Sequence, residues 1–488
     1  MKLRIPKVRR RRFDPREVGW RIGRAVEPRA GDLWCPWDRT AGVIGPQGSG
    51  KTLDLLIPAL LATSGPALVT LTKLDDLLLC FDARAKHGPC HVMDPFGLAP
   101  GFPELVWDPV DGCVDTLVAE RRAKAFTAGT VNVSVHAGSG DAAARFYAAE
   151  ASKVIQAYLH AAALTGATLE SVLRWAASPH ATTEPNEILR EHPGAAPFWA
   201  GLLYGALHGD DRTAGNTVTT VQQALSLYFQ AETRRRCTPS AGRPATDIAA
   251  VLEAGGTIFL LGREDPYASA SPLMTAAAEH ILDTALALAN RSEFGRLCPP
   301  MLACLDELPS TAPLPTLRTR MANERALGIS FIWAAQTWRQ LTALYGENEA
   351  RALFGLTNVL MLFGGGKDAG FNREISDLAG TARVARTTWQ TRRWERSVSG
   401  DDIPVLRSEE VRQLPERRAL VIAENGRPIV AGLDRCIDGA AGRRLLAAKS
   451  EARARLQAAQ VGTVSDAARS IAARFDAEQQ GLSRDGKR

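Results

Sequence analysis

An α/β fold with a mostly parallel sheet, interrupted by an all-α insertion, is the fold class this sequence predicts. Three observations predict it. Short apolar runs such as Ala41-Gly42-Val43-Ile44 and Ala67-Leu68-Val69-Thr70-Leu71 recur between helical patterns early in the chain. Runs that are apolar at nearly every residue are strands buried on both faces, the mark of a parallel sheet covered by helices. From about residue 115 to 250 that rhythm stops, Ala-rich segments of helical spacing take over, and afterwards the strands return.

In chain order, residues 1–24 read as a flexible basic arm because of the run Arg9-Arg10-Arg11-Arg12. Such an arm is either a solvated tail or a contact for nucleic acid or anionic head groups. Residues 25–114 and 250–436 form the sheet domain. Its first strand, Ala41 to Ile44, is followed by a helix from Leu53 to Leu61, a strand from Ala67 to Leu71, a helix from Leu74 to Phe81 and a strand from His91 to Asp94. Residues 115–249 are the all-α insertion, in which Phe146, Val154, Tyr158 and Ala161 are expected on one helical stripe. Strands return at Thr257 to Leu261, Met301 to Leu305, Ile329 to Trp333 and Val359 to Phe363. Ala419 to Ala423 and Ile429 to Ala431 flank Asn425-Gly426 and predict a hairpin at the sheet edge. Residues 437–488 read as a helical or partly disordered tail.

Composition narrows the class. A chain of 488 residues exceeds what one core usually serves, which agrees with a sheet domain carrying an insertion. A net charge of +6 permits a polyanionic partner without demanding one. No apolar stretch approaches the ~20 residues a membrane span needs, and no apolar segment follows the basic start as in a signal peptide. The eight cysteines form no C-x-x-C pair, which argues against a zinc or disulfide framework and for reduced structural thiols.

The chemistry begins at Gly45-Pro46-Gln47-Gly48-Ser49-Gly50-Lys51-Thr52, a complete G-x-x-x-x-G-K-[ST] phosphate loop between a strand and a helix. With glycine at ~7% of average composition, this match arises by chance on the order of once in tens of thousands of positions. Glycines let backbone N–H groups turn onto the α- and β-phosphates of ATP, and the helix N-terminus adds its dipole. Lys51 places a cation on the β- and γ-phosphates, and Thr52 offers its hydroxyl to Mg²⁺. The apolar strand ending in Asp306-Glu307 brings two acids to the sheet edge where ligands of α/β folds bind. Asp306 is expected to hold Mg²⁺ through water, and Glu307 to orient and deprotonate the attacking water. Gln336 ends the next strand and is a candidate γ-phosphate or water contact. Gly364-Gly365-Gly366-Lys367 lacks phosphate-loop spacing and reads as a turn.

These pieces resemble the VirD4/TraG/TraD family, the coupling-protein ATPases of type IV secretion and conjugation. The resemblance covers roughly residues 21–433. It rests on the phosphate loop, on Val69-Thr70-Leu71-Thr72-Lys73, on Met93-Asp94-Pro95-Phe96-Gly97 and on Trp107-Asp108-Pro109. Leu305-Asp306-Glu307-Leu308, Gly328-Ile329 with Ala335-Gln336, Glu410 to Pro415 and the helical insertion complete it. It implies a RecA-like motor, an ATPase that assembles as a homo-hexamer with ATP at subunit interfaces. It also implies an arginine from the neighbouring subunit, in a Gly-Arg-x-x-Gly segment that here reads Glu324-Arg325-Ala326-Leu327-Gly328. Arg325 takes that role, with Arg318 and Arg320 as competitors, and Glu324 departs from the family's glycine.

The implied function is to bind single-stranded DNA with its relaxase and pump it toward the transfer channel, the inserted domain recognising substrate. Many family members carry N-terminal membrane spans, which are not seen here. The implied setting is therefore cytoplasmic, or peripheral at the inner membrane through a separate anchoring protein. Arg383, Arg386, Arg392, Arg393 and Arg396, interleaved with Trp389 and Trp394, suit phosphate contacts and base stacking, or else form a solvated loop. Two other functions remain open: a double-stranded DNA translocase of the FtsK/HerA type, and a nucleotide-gated docking receptor for secreted proteins.

Overall fold

The computed structural model describes residues 13–135, 141–262, 269–390 and 395–461, with the side chains of 131–142 and 386–399 outside the description. The thirteen strands are β1 Gly19–Glu27, β2 Asp32–Pro36, β3 Ala41–Ile44, β4 Ala67–Leu71, β5 Cys90–Met93, β6 Thr257–Leu261, β7 Met301–Leu305, β8 Ile329–Ala335, β9 Val359–Phe363, β10 Thr381–Gln390, β11 Glu395–Pro404, β12 Arg418–Ala423 and β13 Ile429–Gly432. Eleven of them form one sheet in the order β2-β1-β13-β12-β9-β3-β8-β7-β4-β6-β5. The block from β9 to β5 is parallel, and β12, β13, β1 and β2 extend it antiparallel.

Alternation along each strand builds two cores. On β7, Met301, Ala303 and Leu305 point to one face while Leu302 and Cys304 point to the other. The first face is continuous with Trp107, Phe126, Tyr158, Trp175 and Tyr228 of the helical region. The second is covered by Leu55 and Leu60 behind the phosphate loop, by the helix Leu74–Arg84 and by Ala452 and Leu456 of the 439–461 helix.

Between β5 and β6 lie eight α-helices, from Thr116–Val135 to Ile248–Glu253, and no strand among the described residues. The expected stripe holds for Val154, Tyr158 and Ala161, all fully buried, but Phe146 is half exposed. At 100° per residue Phe146 sits 60–120° around the helix from the other three, so it falls at the rim of the stripe.

Three other expectations change. The arm predicted for residues 1–24 is structured from Asp14 onward, because Trp20, Ile22 and Ala25 are buried in the core and β1 is a strand of the main sheet. Residues 1–12, including Arg9 to Arg12, lie outside the described residues. The β12–β13 hairpin forms around Asn425-Gly426 but is not an edge, since β1 pairs with the far side of β13. The segment holding Arg383 and Trp389 is not a loop. It is a two-stranded ribbon, β10 paired with β11 from Thr381↔Pro404 to Gln390↔Glu395. Arg383 is exposed near its base, while Arg392, Arg393 and Trp394 and the side chains of Arg386, Trp389 and Arg396 lie outside the described residues. The tail forms a helix over 439–461, and 462–488 lie outside them.

All eight cysteines are free and six are buried. Among the described residues no helix is long and apolar enough to cross a membrane, and no group of His, Cys, Asp and Glu has the arrangement of a metal cluster.

Candidate nucleotide site

The site sits where the carboxyl ends of β3, β4, β7 and β8 meet. The phosphate loop leaves β3 and is pinned to the end of β8 by the Gly45 N–H, which donates to the Ala335 carbonyl at 3.2 Å. Gly48 and Gly50 have φ of +78° and +101°, a region closed to most side chains. Two glycines are also sterically required. A Cβ on Gly45 would meet Phe363 Cβ at 2.7 Å, and one on Gly50 would meet Asp54 Oδ2 at 2.4 Å. The following helix opens with a single π turn, Thr52–Leu56, before the α-helical Ile57–Ala62. Such turns cluster at functional sites.

Lys51 is 5% exposed, and its Nζ donates to the carbonyls of Gly45 (2.7 Å) and Pro46 (3.2 Å) with Glu307 Oε1 at 3.7 Å. Burial lowers its pKa, and Glu307 and Asp306 oppose that. Thr52 Oγ1 donates to Asp306 Oδ2 at 2.8 Å. Thr70 Oγ1 on the neighbouring β4 donates to the Asp306 carbonyl at 2.8 Å and fixes the strand end. Asp306 is 4% exposed, its Oδ1 has no hydrogen-bond partner, and burial raises its pKa against the pull of Thr52 and Lys51. A buried carboxylate oxygen beside a threonine hydroxyl is an all-oxygen donor set, which suits Mg²⁺. Glu307 takes φ +50° as the chain turns off β7 into the short helix Leu308–Thr311. That sparsely populated conformation is one that side chains tolerate mainly where function holds them.

Gln336 follows β8, and its N–H is held by Gln340 Oε1 at 3.0 Å. Gln47, Thr52, Asp306, Glu307 and Gln336 line one cleft. The sequence-predicted residues of the phosphate loop, the acid pair and Gln336 therefore come together. The cleft has further walls that sequence reasoning did not assign: Thr72, Lys73, Asp76 and Ser310. Burial and the Asp306 charge push the Asp76 carboxyl up to about 6. Lys73 and Asp76 follow the end of β4, which pairs with β7 in the sheet, an adjacency that the sequence alone does not give.

Arg325 is elsewhere. It precedes β8 and donates to Asn358 Oδ1 at 3.1 Å, which also accepts from the Thr40 N–H just ahead of β3. It lies at the amino ends of strands whose carboxyl ends carry the phosphate loop, a strand length or roughly 20 Å away. It cannot serve the cleft of its own chain. Its competitors are committed: Arg318 pairs with Glu349 at 2.7 Å, and Arg320, 5% exposed, is gripped by Glu279, Asp283 and Glu324.

Fold and site geometry together define a RecA-like P-loop fold with an α/β core and a mostly parallel sheet. Residues 300–416, which include Asp306, Glu307, Arg325 and Gln336, match the family described as the TraM recognition site of TraD and TraG. A search of curated protein sequences finds no match. Among solved structures, the fold is similar to that of the bacterial conjugative coupling protein TrwBdeltaN70 in its unbound form. The TM-score is 0.62 at 21% identity, over 82% of this chain and 86% of that one. TrwB with the ATP analogue ADPNP matches at TM-score 0.60 and 20% identity, covering 82% of this chain and 86% of the other. TrwB with ADP and Mg²⁺ gives 0.60 at 21% over the same shares. The resemblance to the VirD4/TraG/TraD coupling proteins is thus borne out in one segment of sequence and in the fold.

Proposed function

We propose that this chain is an ATP-hydrolysing coupling protein of a type IV secretion or conjugation system, which binds single-stranded DNA with its relaxase and drives it toward the transfer channel. The observation that carries the reading is the meeting of Thr52, Asp306 and Glu307 in one cleft, with Lys51 beside Glu307, on a fold like that of the coupling protein TrwB. TrwB binds an ATP analogue, and ADP with Mg²⁺, on the same fold, which supports ATP and Mg²⁺ here.

In this mechanism the phosphate loop amides and Lys51 hold the β- and γ-phosphates. Thr52 and Asp306 are the residues that would hold Mg²⁺, which neutralises phosphate charge when bound. Glu307 takes a proton from the water that attacks the γ-phosphorus in line, while the bond to the β-bridging oxygen breaks. Gln336 orients that water or reports the γ-phosphate. Arg325 works on the neighbouring subunit's ATP in a homo-hexamer, the arrangement its distance from its own cleft favours. In other NTPases such a finger is worth about 10³–10⁵ in rate. The test is phosphate release with Mg²⁺-ATP. Wild type should turn over and be stimulated by single-stranded DNA, while Lys51→Ala should be inactive. Equal rates for the two would overturn the reading.

One observation favours a second role for the same chain. The match to a TraM recognition site at 300–416 supports docking of a relaxosome protein onto the sheet domain. Partner binding that persists while turnover ignores DNA would favour a nucleotide-gated receptor. Stimulation by duplex DNA alone would favour a double-stranded DNA translocase.

A further inference from the structure

Asp54 lies in the π turn directly after the phosphate loop, and its carboxylate is wholly buried beneath Gly50. Its cationic partner comes from the far end of the chain. Arg435 Nε donates to Asp54 Oδ1 at 2.8 Å, and a second guanidinium nitrogen lies 3.4 Å from Oδ2. Arg435 follows β13 on a short segment fixed at three further points. The Leu433 N–H donates to Arg417 O at 3.0 Å, the Cys436 N–H donates to Leu53 O at 3.0 Å, and Asp434 pairs with Arg21. The same segment then enters the 439–461 helix. There Lys449 and Arg453 both pair with Asp75, and Arg455 pairs with Asp82 at 2.6 Å. Asp75 immediately precedes Asp76 and is two residues from Lys73, on the opposite wall of the nucleotide cleft.

We propose that Arg435 is a positioning residue for nucleotide binding: by pairing Asp54 it sets the turn that presents the phosphate-loop amides, and so couples nucleotide binding to the seating of the C-terminal helix. The physical reason is the cost of the alternative. A buried carboxylate stripped of its partner recovers solvent only by moving, and Asp54 is packed under Gly50: its N–H donates to the Gly50 carbonyl at 2.8 Å, and a Cβ on Gly50 would meet Asp54 Oδ2 at 2.4 Å. The loop amides that cradle phosphate belong to that same turn. The strap therefore grips both walls of the cleft, the loop through Asp54 and Leu53, the opposite wall through Asp75.

The inference rests on the nucleotide-binding reading, and the test separates the two. Binding of a fluorescent ATP analogue is measured for full-length wild type, R435K, R435Q, D54N and D54N/R435Q, with thermal midpoints as a check on folding. R435Q should bind at least ~10-fold more weakly, since it leaves a buried charge unpaired. R435K should retain most of the affinity, and D54N/R435Q should recover most of what R435Q loses. In turnover, KM for ATP should rise more than kcat falls. Amide hydrogen exchange across 439–461 should slow on adding ATP in wild type and not in R435Q. Wild type that binds no nucleotide removes the functional reading, and this inference with it. Wild type that binds, with R435Q equal to it or with the double variant no better than R435Q, removes this inference alone. Equal slowing of exchange in wild type and R435Q removes the coupling.

Discussion

Glu324 stands where the resembled family has glycine, and its neighbours turn that departure into a pH-dependent stability. Arg320 is shared by three carboxylates, Glu279 and Asp283 at 2.6 Å and Glu324 at 2.9 Å, so the cluster carries excess negative charge. Glu324 is 8% exposed, and its Oε2 has no hydrogen-bond partner. Burial pushes its carboxyl up to about 7 from 4.5, Arg320 opposing and Asp283 and Glu279 assisting. Between those two values the native state holds a proton that the unfolded chain has lost. The group's contribution to stability is therefore full below about pH 4.5 and falls away as pH rises through 7. From pH 5 to pH 8 the loss is on the order of 2–3 kcal/mol, since one pKa unit corresponds to roughly 1.4 kcal/mol. Glu324→Gln keeps an acceptor for Arg320 and cannot ionise. Urea unfolding of both proteins at pH 5, 6, 7 and 8 should show the wild type losing stability faster, with E324Q ahead by a margin that grows by on the order of 2–3 kcal/mol across the range. Parallel pH profiles would refute the cluster's electrostatics.

Further outcomes follow from the cleft and its distant arginine. Thr52→Val removes the hydroxyl that bonds Asp306, and it should raise the Mg²⁺ concentration for half-maximal turnover by ~10-fold or more, as a lost metal-site oxygen does; an unchanged Mg²⁺ titration would exclude Thr52 from the metal site. Arg325→Ala and Lys51→Ala should each be inactive alone, yet mixing them should restore partial turnover, because a mixed ring contains interfaces with both residues intact. Absence of complementation at any ratio would place Arg325 outside catalysis. Replacing the β10–β11 ribbon by a short glycine turn should leave basal turnover within about two-fold and abolish stimulation by single-stranded DNA. Retained stimulation would clear the ribbon of DNA contact.

The parallel strands were legible because each is apolar at almost every position, and nothing but burial on two faces explains such a run. The phosphate loop and Asp306-Glu307 were legible for a related reason: their chemistry needs fixed residue types at fixed spacing next to a strand. β1 escaped because Arg21 and Arg24 interrupt it and a basic run precedes it, so an alternating strand looked like the end of an arm. The ribbon escaped because its strands pair only with each other and carry polar residues throughout, leaving no apolar period to detect. Asp76 and the Arg435–Asp54 pair were invisible for a different reason. They depend on segments 230 residues (306 − 76) and 381 residues (435 − 54) apart meeting in space, which local pattern does not encode.

The unbroken core between the sheet and the helical insertion carries a mechanical consequence. Trp107, Phe126 and Tyr228 pack in the same apolar body as Ile258, Leu260 and Met301 of the strands. Close-packed interiors have low compressibility and transmit strain. A load applied to the insertion is therefore borne directly by β6 and β7, with no slack joint to absorb it. Since β7 runs directly into Asp306, on the proposed mechanism a load on the insertion would reach the site through one strand.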